Sequence, residues 1–205
     1  MMSRTHIAVG IATSLAVLQP STAASCLAAV AGGAVGGIIC DVDARSSEYA
    51  RDARQGQAVA AAIVAAAIAI DLAGGYGFCT RIVERMDFDV VLGVAGIAAI
   101  GYLGSRKPHR TFAHSLLALG LYCIAISLAA PTLVAPFALG FASHIVLDLL
   151  NKQPVQVLFP LKSGAFCLGI CRADGTANRM LAVLGTIAAA GLLAWRIAMT
   201  AGLTA

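Results

Sequence analysis

The stretch AVAAAIVAAAIAIDLAGG, residues 58–75, is an almost unbroken apolar run in which Asp71 is the one charged residue. About 20 helical residues, or roughly 17 at the short end, cross the hydrocarbon core of a bilayer. Six further apolar stretches lie along the chain, at residues 7–18, 23–39, 88–104, 113–129, 133–150 and 181–200. The sequence therefore predicts an all-α, polytopic transmembrane bundle of six to seven segments.

The first and sixth stretches are the least regular of the seven. Residues 7–18 are too few for a secure crossing, so they predict either a tilted span or a re-entrant hairpin with residues 23–39. Residues 133–150 contain His144 and Asp148, so this stretch crosses only if those side chains face protein or water. A competing interpretation makes the N-terminus a signal peptide cleaved near residues 21–24. The weakly basic start favours the membrane segment.

The composition of the chain agrees with a membrane protein. Of its 205 residues, 60% are hydrophobic and only 12% are charged, whereas soluble domains carry about 25% charged residues. This balance excludes a disordered protein and argues against a water-soluble one, and we expect one membrane-embedded domain over residues 1–205 in contact with membrane lipids. The net charge of +4 is small and scattered, so no nucleic-acid partner is expected.

Basic residues are distributed unevenly between the two membrane faces. If the first two stretches form a pair, residues 1–6, 41–57, 105–112 and 151–179 share one face. Eleven basic residues lie there: Arg4, Arg45, Arg51, Arg54, Arg106, Lys107, Arg110, Lys152, Lys162, Arg172 and Arg179. Arg81, Arg85 and Arg196 fall to the opposite face. Since cytoplasmic loops carry the excess of Lys and Arg, the first face is predicted to be cytoplasmic.

All four histidines and three aspartates fall on or just inside this cytoplasmic face. They come from four segment ends that are distant in sequence, and random placement would scatter them over both faces. The candidate metal ligands are His6, Asp41, Asp43, His109, His114, His144 and Asp148. Imidazoles with carboxylates, and no thiolates nearby, favour zinc, with manganese or iron as alternatives.

The spacing within this set supports a shared site. His144 and Asp148 are four residues apart, which places them one turn apart on one helix face. In Asp41-Val42-Asp43 the two aspartates are two residues apart. Successive side chains of an extended chain point to opposite faces, so both carboxylates would lie on the same face and could bridge or hold metal ions. His109 and His114 lie at a loop-to-helix junction after Pro108.

Several of these motifs, taken in order, resemble the YdjM-like family of bacterial membrane-bound metal-dependent hydrolases. Residues 108–115, PHRTFAHS, are similar to its His-Arg-x-x-Thr-His-Ser signature, and residues 140–148, GFASHIVLD, to its Gly-x-x-x-His-x-x-x-Asp element. His6, residues 40–43 (CDVD) and residues 157–160 (VLFP) match its early His, its Pro-Asp-x-Asp motif and its apolar-Pro stretch. The resemblance implies a multi-pass protein of the bacterial inner membrane.

The sequence departs from the family pattern at three positions. Cys40 stands where relatives have Pro, Thr111 is shifted by one place, and Asn178 lies where relatives often carry Glu. The ligand set is intact, but a late carboxylate role is in doubt. A more distant similarity to the zinc-dependent phospholipase C and nuclease superfamily implies one to three metal ions and phosphoester hydrolysis.

The resemblance implies metal-assisted hydrolysis, in which ions activate a bound water. Asp41 or Asp43 would bridge ions or orient that water. Arg110 is the candidate for gripping a phosphate, because its planar fork suits bidentate contact, although it also fits a plain topology signal. A site at the bilayer surface favours a lipid-linked phosphoester as substrate.

Two other function classes compete with a hydrolase. An ion or small-molecule transporter would use the same residues, but it would place polar groups at the bilayer midplane and on both faces. A scaffold without chemistry would leave the convergence of His and Asp unexplained. The six cysteines form no framework: Cys167 and Cys171 are one isolated pair in a predicted cytoplasmic loop, and without a second pair a zinc ribbon is not expected.

Overall fold

A computed structural model describes residues 1–46, 49–85, 87–161 and 164–200. Within these ranges the chain forms eight α-helices: α1 Ser3–Leu18, α2 Ala23–Ile39, α3 Ala50–Gly74, α4 Phe78–Val83, α5 Phe88–Ser105, α6 Leu116–Ala129, α7 Val134–Leu149 and α8 Thr176–Thr200. Three short 3-10 helices cover Cys40–Ser46, Phe112–His114 and Pro131–Leu133. We call Cys40–Ser46 the aspartate turn and Phe112–His114 the histidine turn. Lys162 lies outside the described residues.

The prediction of an all-α membrane bundle is confirmed. Each of the seven apolar stretches forms a helix, and α4 is an additional short one. Five described segments are long and apolar enough to cross a bilayer: Ala23–Ala44, Ala50–Gly74, Phe88–Ser105, Pro131–Leu149 and Thr176–Thr200. Helices α1 and α6 are apolar but shorter. The first stretch pairs with the second as an antiparallel helix hairpin.

Glycines allow α1, α2 and α7 to pack with their backbones in contact. A Cβ atom at Gly10 would lie 2.5 Å from the carbonyl oxygen of Gly33, and one at Gly140 would lie 2.5 Å from the same oxygen. A Cβ atom at Gly37 would lie 2.6 Å from the carbonyl oxygen of His6. Small residues give such close approach in lipid, where burial of apolar side chains contributes little to helix association. The contact aligns the ends of α1, α2 and α7 that carry candidate ligands.

The other helices surround this three-helix centre. Helix α8 packs on α1, α3 on α2, and α5 on α6. Between α6 and α7 the core is aromatic, with Tyr122, Phe137 and Phe141 in mutual ring contact. Asn178 of α8 accepts hydrogen bonds from the Met2 backbone N–H and the Thr5 hydroxyl. The residue at the position of the family's late Glu therefore holds the start of α1.

The loop after α7 returns to cover the histidine turn. It forms a two-stranded hairpin, β1 Val155–Gln156 with β2 Ala165–Phe166. The backbone N–H of Leu116 donates to the carbonyl of Val157 at 3.0 Å, and that of Gln156 donates to the carbonyl of Arg110 at 2.9 Å. The hairpin loop therefore fixes the chain on both sides of the histidine turn.

Asp71 lies near the end of α3, and its side chain is buried in the protein. Its carboxylate accepts hydrogen bonds from the backbone N–H groups of Phe78 at 2.8 Å and Cys79 at 2.7 Å. These two donors belong to the first turn of α4 and have no partner within that helix. Asp71 therefore caps α4 and closes the end of the bundle opposite the candidate ligands.

We expect Gly140→Ala to lower the thermal stability of the purified protein. The new methyl group would meet the carbonyl oxygen of Gly33 and force α7 away from α2, at a cost of about 1–3 kcal/mol. Gly120→Ala is the matched control, since a Cβ atom on that α6 glycine meets nothing within 4 Å. An unchanged melting temperature for Gly140→Ala would contradict this account of the helix packing.

Candidate metal centre

The structure brings all seven predicted ligands together at one end of the bundle. His6 starts α1, Asp41 and Asp43 lie in the aspartate turn, His109 precedes and His114 ends the histidine turn, and His144 and Asp148 belong to the last turns of α7. Six of them are buried, and only the His109 side chain is partly exposed, at 25%. The site is therefore a largely water-excluded cluster.

His144 is oriented by the backbone of α2. Its Nδ1 atom lies 2.8 Å from the carbonyl oxygen of Gly37, so Nδ1 carries the proton and donates it. The Nε2 atom is left as an acceptor and lies 3.7 Å from Oδ2 of Asp148, as the four-residue spacing predicted. A ligating histidine commonly has this second hydrogen bond, which fixes its tautomer and ring orientation.

The two aspartates of the aspartate turn do not lie in extended chain, and that expectation was wrong. In a 3-10 helix with three residues per turn, positions two apart diverge by about a third of a turn. Asp41 and Asp43 consequently contact different edges of the same imidazole. Oδ1 of Asp41 lies 3.7 Å from Nε2 of His114, and Oδ2 of Asp43 lies 3.3 Å from its Nδ1.

Two imidazole nitrogens and two carboxylate oxygens lie close together in the cluster. Nε2 of His114 lies 3.7 Å from Oδ1 of Asp41 and 3.5 Å from Oδ2 of Asp148. Nε2 of His144 lies 3.8 Å from that Asp41 oxygen and 3.7 Å from that Asp148 oxygen. Tetrahedral zinc with bonds of about 2.0–2.1 Å separates its ligand atoms by about 3.4 Å. The four distances between an imidazole nitrogen and a carboxylate oxygen are within about 0.5 Å of that separation.

Two further donor groups adjoin these four atoms. His6 stacks on His144 with ring centroids 3.8 Å apart, and its Nε2 lies 3.4 Å from Oδ1 of Asp148. On the other side, Nδ1 of His109 lies 2.6 Å from Oδ1 of Asp43. Three groups therefore satisfy the geometry of a metal site: His6 with His144 and Asp148, Asp41 with His114 and His144, and Asp43 with His109 and His114.

Buried imidazole nitrogens in this cluster lack hydrogen-bond partners. Among the described residues, both ring nitrogens of His6, both of His114 and Nε2 of His144 are in this state. Buried polar atoms are otherwise almost always hydrogen-bonded, because leaving one unpaired costs roughly 1–3 kcal/mol. Nitrogens directed at carboxylate oxygens across gaps of 3.3–3.8 Å have the arrangement that a shared cation would satisfy.

The charge state of His114 reflects the carboxylates around it. Burial by itself lowers its pKa, but the carboxylates of Asp41 and Asp43, with Asp148 nearby, outweigh burial and raise the pKa to about 10. The metal-free protein therefore carries a proton on His114 at neutral pH. The excess of acid groups demands positive charge at this point, which either a proton or a metal ion supplies.

Arg110 adopts a strained backbone conformation next to the cluster. Its φ of 64° lies in the left-handed region, which is uncommon for a residue with a side chain. The conformation directs its backbone N–H to Oδ2 of Asp43 at 3.1 Å. Its guanidinium lies 3.3 Å from Oδ1 of Asp148 and donates to the carbonyl of Gln153 at 2.8 Å. Arg110 is therefore part of the site. A basic residue that only marked the cytoplasmic face would not need these contacts.

The remaining polar residues of the signature are structural. Ser115 is the N-cap of α6, since its hydroxyl accepts from the backbone N–H of Ala118 at 3.1 Å. Thr111 forms no such cap; its hydroxyl donates to the carbonyl of Pro108. Ser143 bonds to the carbonyl of Gly140 within α7. All six cysteines, which belong to the described chain, are free thiols.

Sequence reasoning missed the carbonyl of Gly37, which orients a histidine of the site. A glycine within an apolar helix is typical of helix packing, and its sequence context gives no sign that its oxygen orients a histidine 107 positions later. Only the contact of α2 with α7 reveals it.

Comparison with known proteins gives one match. A family model described as YdjM inner membrane protein matches residues 1–204. No curated protein and no solved structure matches the chain.

The raised pKa of His114 predicts that metal binding depends on pH. A ligating imidazole must be neutral, so an ion has to displace a proton that His114 would lose only as the pH rises through about 10. The apparent affinity for Co²⁺, measured by its visible absorption, should rise about tenfold per pH unit from neutral pH to about pH 9. His114→Gln should bind more weakly and without this dependence. An affinity of the wild type that is constant over this range would contradict the prediction.

Proposed function

We propose, from the premise that the chain belongs to the YdjM inner membrane protein family, that this protein is a metal-dependent hydrolase that cleaves phosphoesters. The observation that carries the proposal is that Nε2 of His114 and Nε2 of His144 each lie 3.5–3.8 Å from an oxygen of both Asp41 and Asp148. Two imidazoles and two carboxylates suit zinc, with manganese or iron as alternatives.

A bound divalent ion supplies an acidified water as nucleophile and offsets negative charge that develops on a phosphoryl oxygen. The chain contributes the geometry. The Gly37 carbonyl fixes the His144 ring, and Asp41 and Asp43 hold His114 from its two edges. Nδ1 of His144 donates to the Gly37 carbonyl, so only Nε2 of this ring can bind a metal ion. The ring can therefore serve either the group with His6 and Asp148 or the group with Asp41 and His114, but not both. We therefore propose one or two ions in the cluster.

Asp43 and His109 are placed to handle the proton of the attacking water. Their contact of 2.6 Å orients the imidazole. The His109 side chain is partly exposed, so the pair can exchange a proton with solvent. Should a second ion bind beside His114, the same two residues would become its ligands.

Arg110 is proposed to bind the phosphate. It lines a narrow mouth of the cluster together with Asp41, His109 and Asp148. Its Nε atom, among the described residues, is buried without a hydrogen-bond partner. A phosphate oxygen at this mouth would supply an acceptor for it, and the fixed positive charge would offset the charge of the substrate.

The proposed orientation directs this cluster towards the cytoplasm. Arg51, Arg54, Arg106 and Lys107 adjoin helix ends on the same side of the bundle as the cluster. An excess of Lys and Arg marks the cytoplasmic side of a membrane protein. The substrate would then be met at the inner surface of the membrane.

Transport of an ion or small molecule remains the alternative use of the same residues. A transporter needs polar groups that continue from one face of the bundle towards the other. Beyond the cluster lies an apolar core that includes Tyr122, Phe137, Phe141 and Ile145. The buried carboxylate of Asp71 at the opposite end is used to cap α4. This arrangement supports chemistry at one face rather than passage through the bundle.

Metal analysis and hydrolysis measured on the same preparations test the proposal. We expect wild-type protein in detergent to retain zinc, manganese or iron and to cleave bis(p-nitrophenyl) phosphate. His144→Ala and Asp148→Asn should lose the metal and at least about a hundredfold in activity, since changes beyond the ligands already cost 10–100-fold.

Asp71→Asn is the matched control, because Asp71 is equally buried but caps α4 at the opposite end of the bundle. It should leave both metal content and hydrolysis unchanged. Equal metal content in wild type, His144→Ala and Asp148→Asn would refute the metal site. A metal-loaded wild type that cleaves neither phosphodiesters nor phosphomonoesters would refute the assigned reaction.

Arg110→Lys should separate phosphate binding from metal binding. Lysine keeps the positive charge beside Asp148 but removes the planar fork. We expect metal content to stay at the wild-type level while KM for the phosphodiester rises about tenfold, equivalent to roughly 1.4 kcal/mol of lost binding. If kcat and KM are both unchanged, Arg110 does not contact the substrate.

A further inference from the structure

An apolar groove opens between two helix pairs on the membrane-embedded side of the protein. Helix α3 packs on α2, and α5 packs on α6, and between the pairs lies a cavity of about 560 Å³. Its walls are wholly apolar and include Val35 and Ile39 of α2, Val64 and Ile68 of α3, and Ile97 of α5. Along α3 the groove extends from Val64 to Leu72, about 12 Å at 1.5 Å per residue.

One end of the groove points towards the candidate metal centre. At its far end it is closed by α4, whose Phe78 packs on Ala24 and Ala28 of α2. At its near end lies the aspartate turn, which contacts both α3 and α5. Ile39 lines the groove, and Asp41 follows two residues later. A molecule that fills the groove therefore reaches Ile39, two residues before Asp41, whose carboxylate lies 3.7–3.8 Å from His114 and His144.

A separate polar cleft lies nearer to the metal centre, beside the aspartate turn. This cleft, of about 400 Å³, lies between the turn and the start of α3, and its lining includes Asp41, Val42, Arg54 and Gln57. Gln57 and Val64 are seven residues apart, which places them two turns apart on one face of the helix. The same face of α3 therefore changes from cationic and polar near Asp41 to apolar within the bundle.

The two parts differ in what they contribute to binding. A hydrocarbon chain gains little free energy on leaving the bilayer for an apolar groove, because lipid tails are as apolar as the groove walls. Affinity must then come from the polar end, where the exposed Arg54 guanidinium and a cation held by Asp41 would attract an anionic head group. The groove would fix the position and direction of the molecule.

We propose that the groove and the cleft together bind a long-chain lipid phosphoester from the surrounding bilayer, with its hydrocarbon chain in the groove and its phosphate in the cleft beside Asp41. The inference rests on the proposed hydrolase function and names its substrate class. The extent of the groove along α3, and the position of the Asp41-lined cleft on the same face of that helix, carry it.

Photolabelling of the full-length protein in nanodiscs tests this proposal without relying on turnover. The probe is hexadecyl phosphate with a diazirine at the end of its chain, and labelled residues are mapped by mass spectrometry. We expect label on groove-lining residues of α2, α3 and α5. An excess of unlabelled hexadecyl phosphate should remove the label, whereas hexadecanol, which lacks the anionic head, should not.

Two matched pairs of variants on α3 test the position of the chain. Val64→Trp and Ile68→Trp fill the groove, while Val59→Trp and Ile70→Trp add the same side chain on the opposite, exposed side of the helix. We expect loss of groove labelling in the first pair only, with metal content unchanged in all four. Label spread over all outward-facing residues, unaffected by Val64→Trp and Ile68→Trp, would overturn the proposal, as would equal competition by hexadecanol.

Hydrolysis assays separate this inference from the function on which it rests. We expect Val64→Trp to lose cleavage of a long-chain phosphodiester but to keep cleavage of soluble bis(p-nitrophenyl) phosphate. If the soluble ester is cleaved and the groove is not labelled, the lipid site is refuted while the hydrolase stands. If the groove is labelled but metal-loaded protein cleaves neither ester, the hydrolase is refuted instead.

Discussion

Three carboxylates buried at one end of an apolar bundle require compensating positive charge, and the arrangement of the site follows from that requirement. Asp41, Asp43 and Asp148 are each less than a tenth exposed. Moving an ionised carboxylate from water into the protein interior has a large unfavourable free energy unless the carboxylate is paired with a positive group. Imidazoles and a guanidinium surround these acids. The pKa of His114 is raised because the negative carboxylates stabilise its protonated form. A divalent cation would balance the same charges with fewer protons.

Close packing of α1, α2 and α7 makes this concentration of polar groups possible. Gly37 occupies a central position, because the carbonyl of His6 approaches it from one side while its own carbonyl accepts a hydrogen bond from His144. A side chain at this position would separate the two histidines that stack on each other. The glycines thus shape the site as well as the fold. Since they lie on the same helices, a loss of helix packing is also a loss of ligand geometry.

The predictions that succeeded used local periodicity and the alternation of membrane faces. The lengths of the apolar stretches located the helices. The number of membrane crossings between the polar loops placed all seven candidate ligands at one end of the bundle. The prediction for Asp41 and Asp43 failed because two residues carry no periodic signal that distinguishes an extended segment from a 3-10 turn. The burial of Asp71 likewise depends on α4, a helix of six residues whose first backbone N–H groups donate to its carboxylate. The role of Asn178 also depended on a partner, the start of α1, at the other end of the chain.

By itself the sequence determined the class of protein, the number and order of its apolar segments, and the types of side chain that gather at one membrane face. These properties follow from composition and spacing along a single helix or a single crossing. Tertiary structure alone decided which atoms face one another: the imidazole nitrogens and carboxylate oxygens of the cluster, the Gly37 carbonyl behind His144, and the walls of the apolar groove. The reason is that distances of 3–4 Å between residues a hundred positions apart depend on backbone contacts between helices, and those contacts leave no local pattern in the chain.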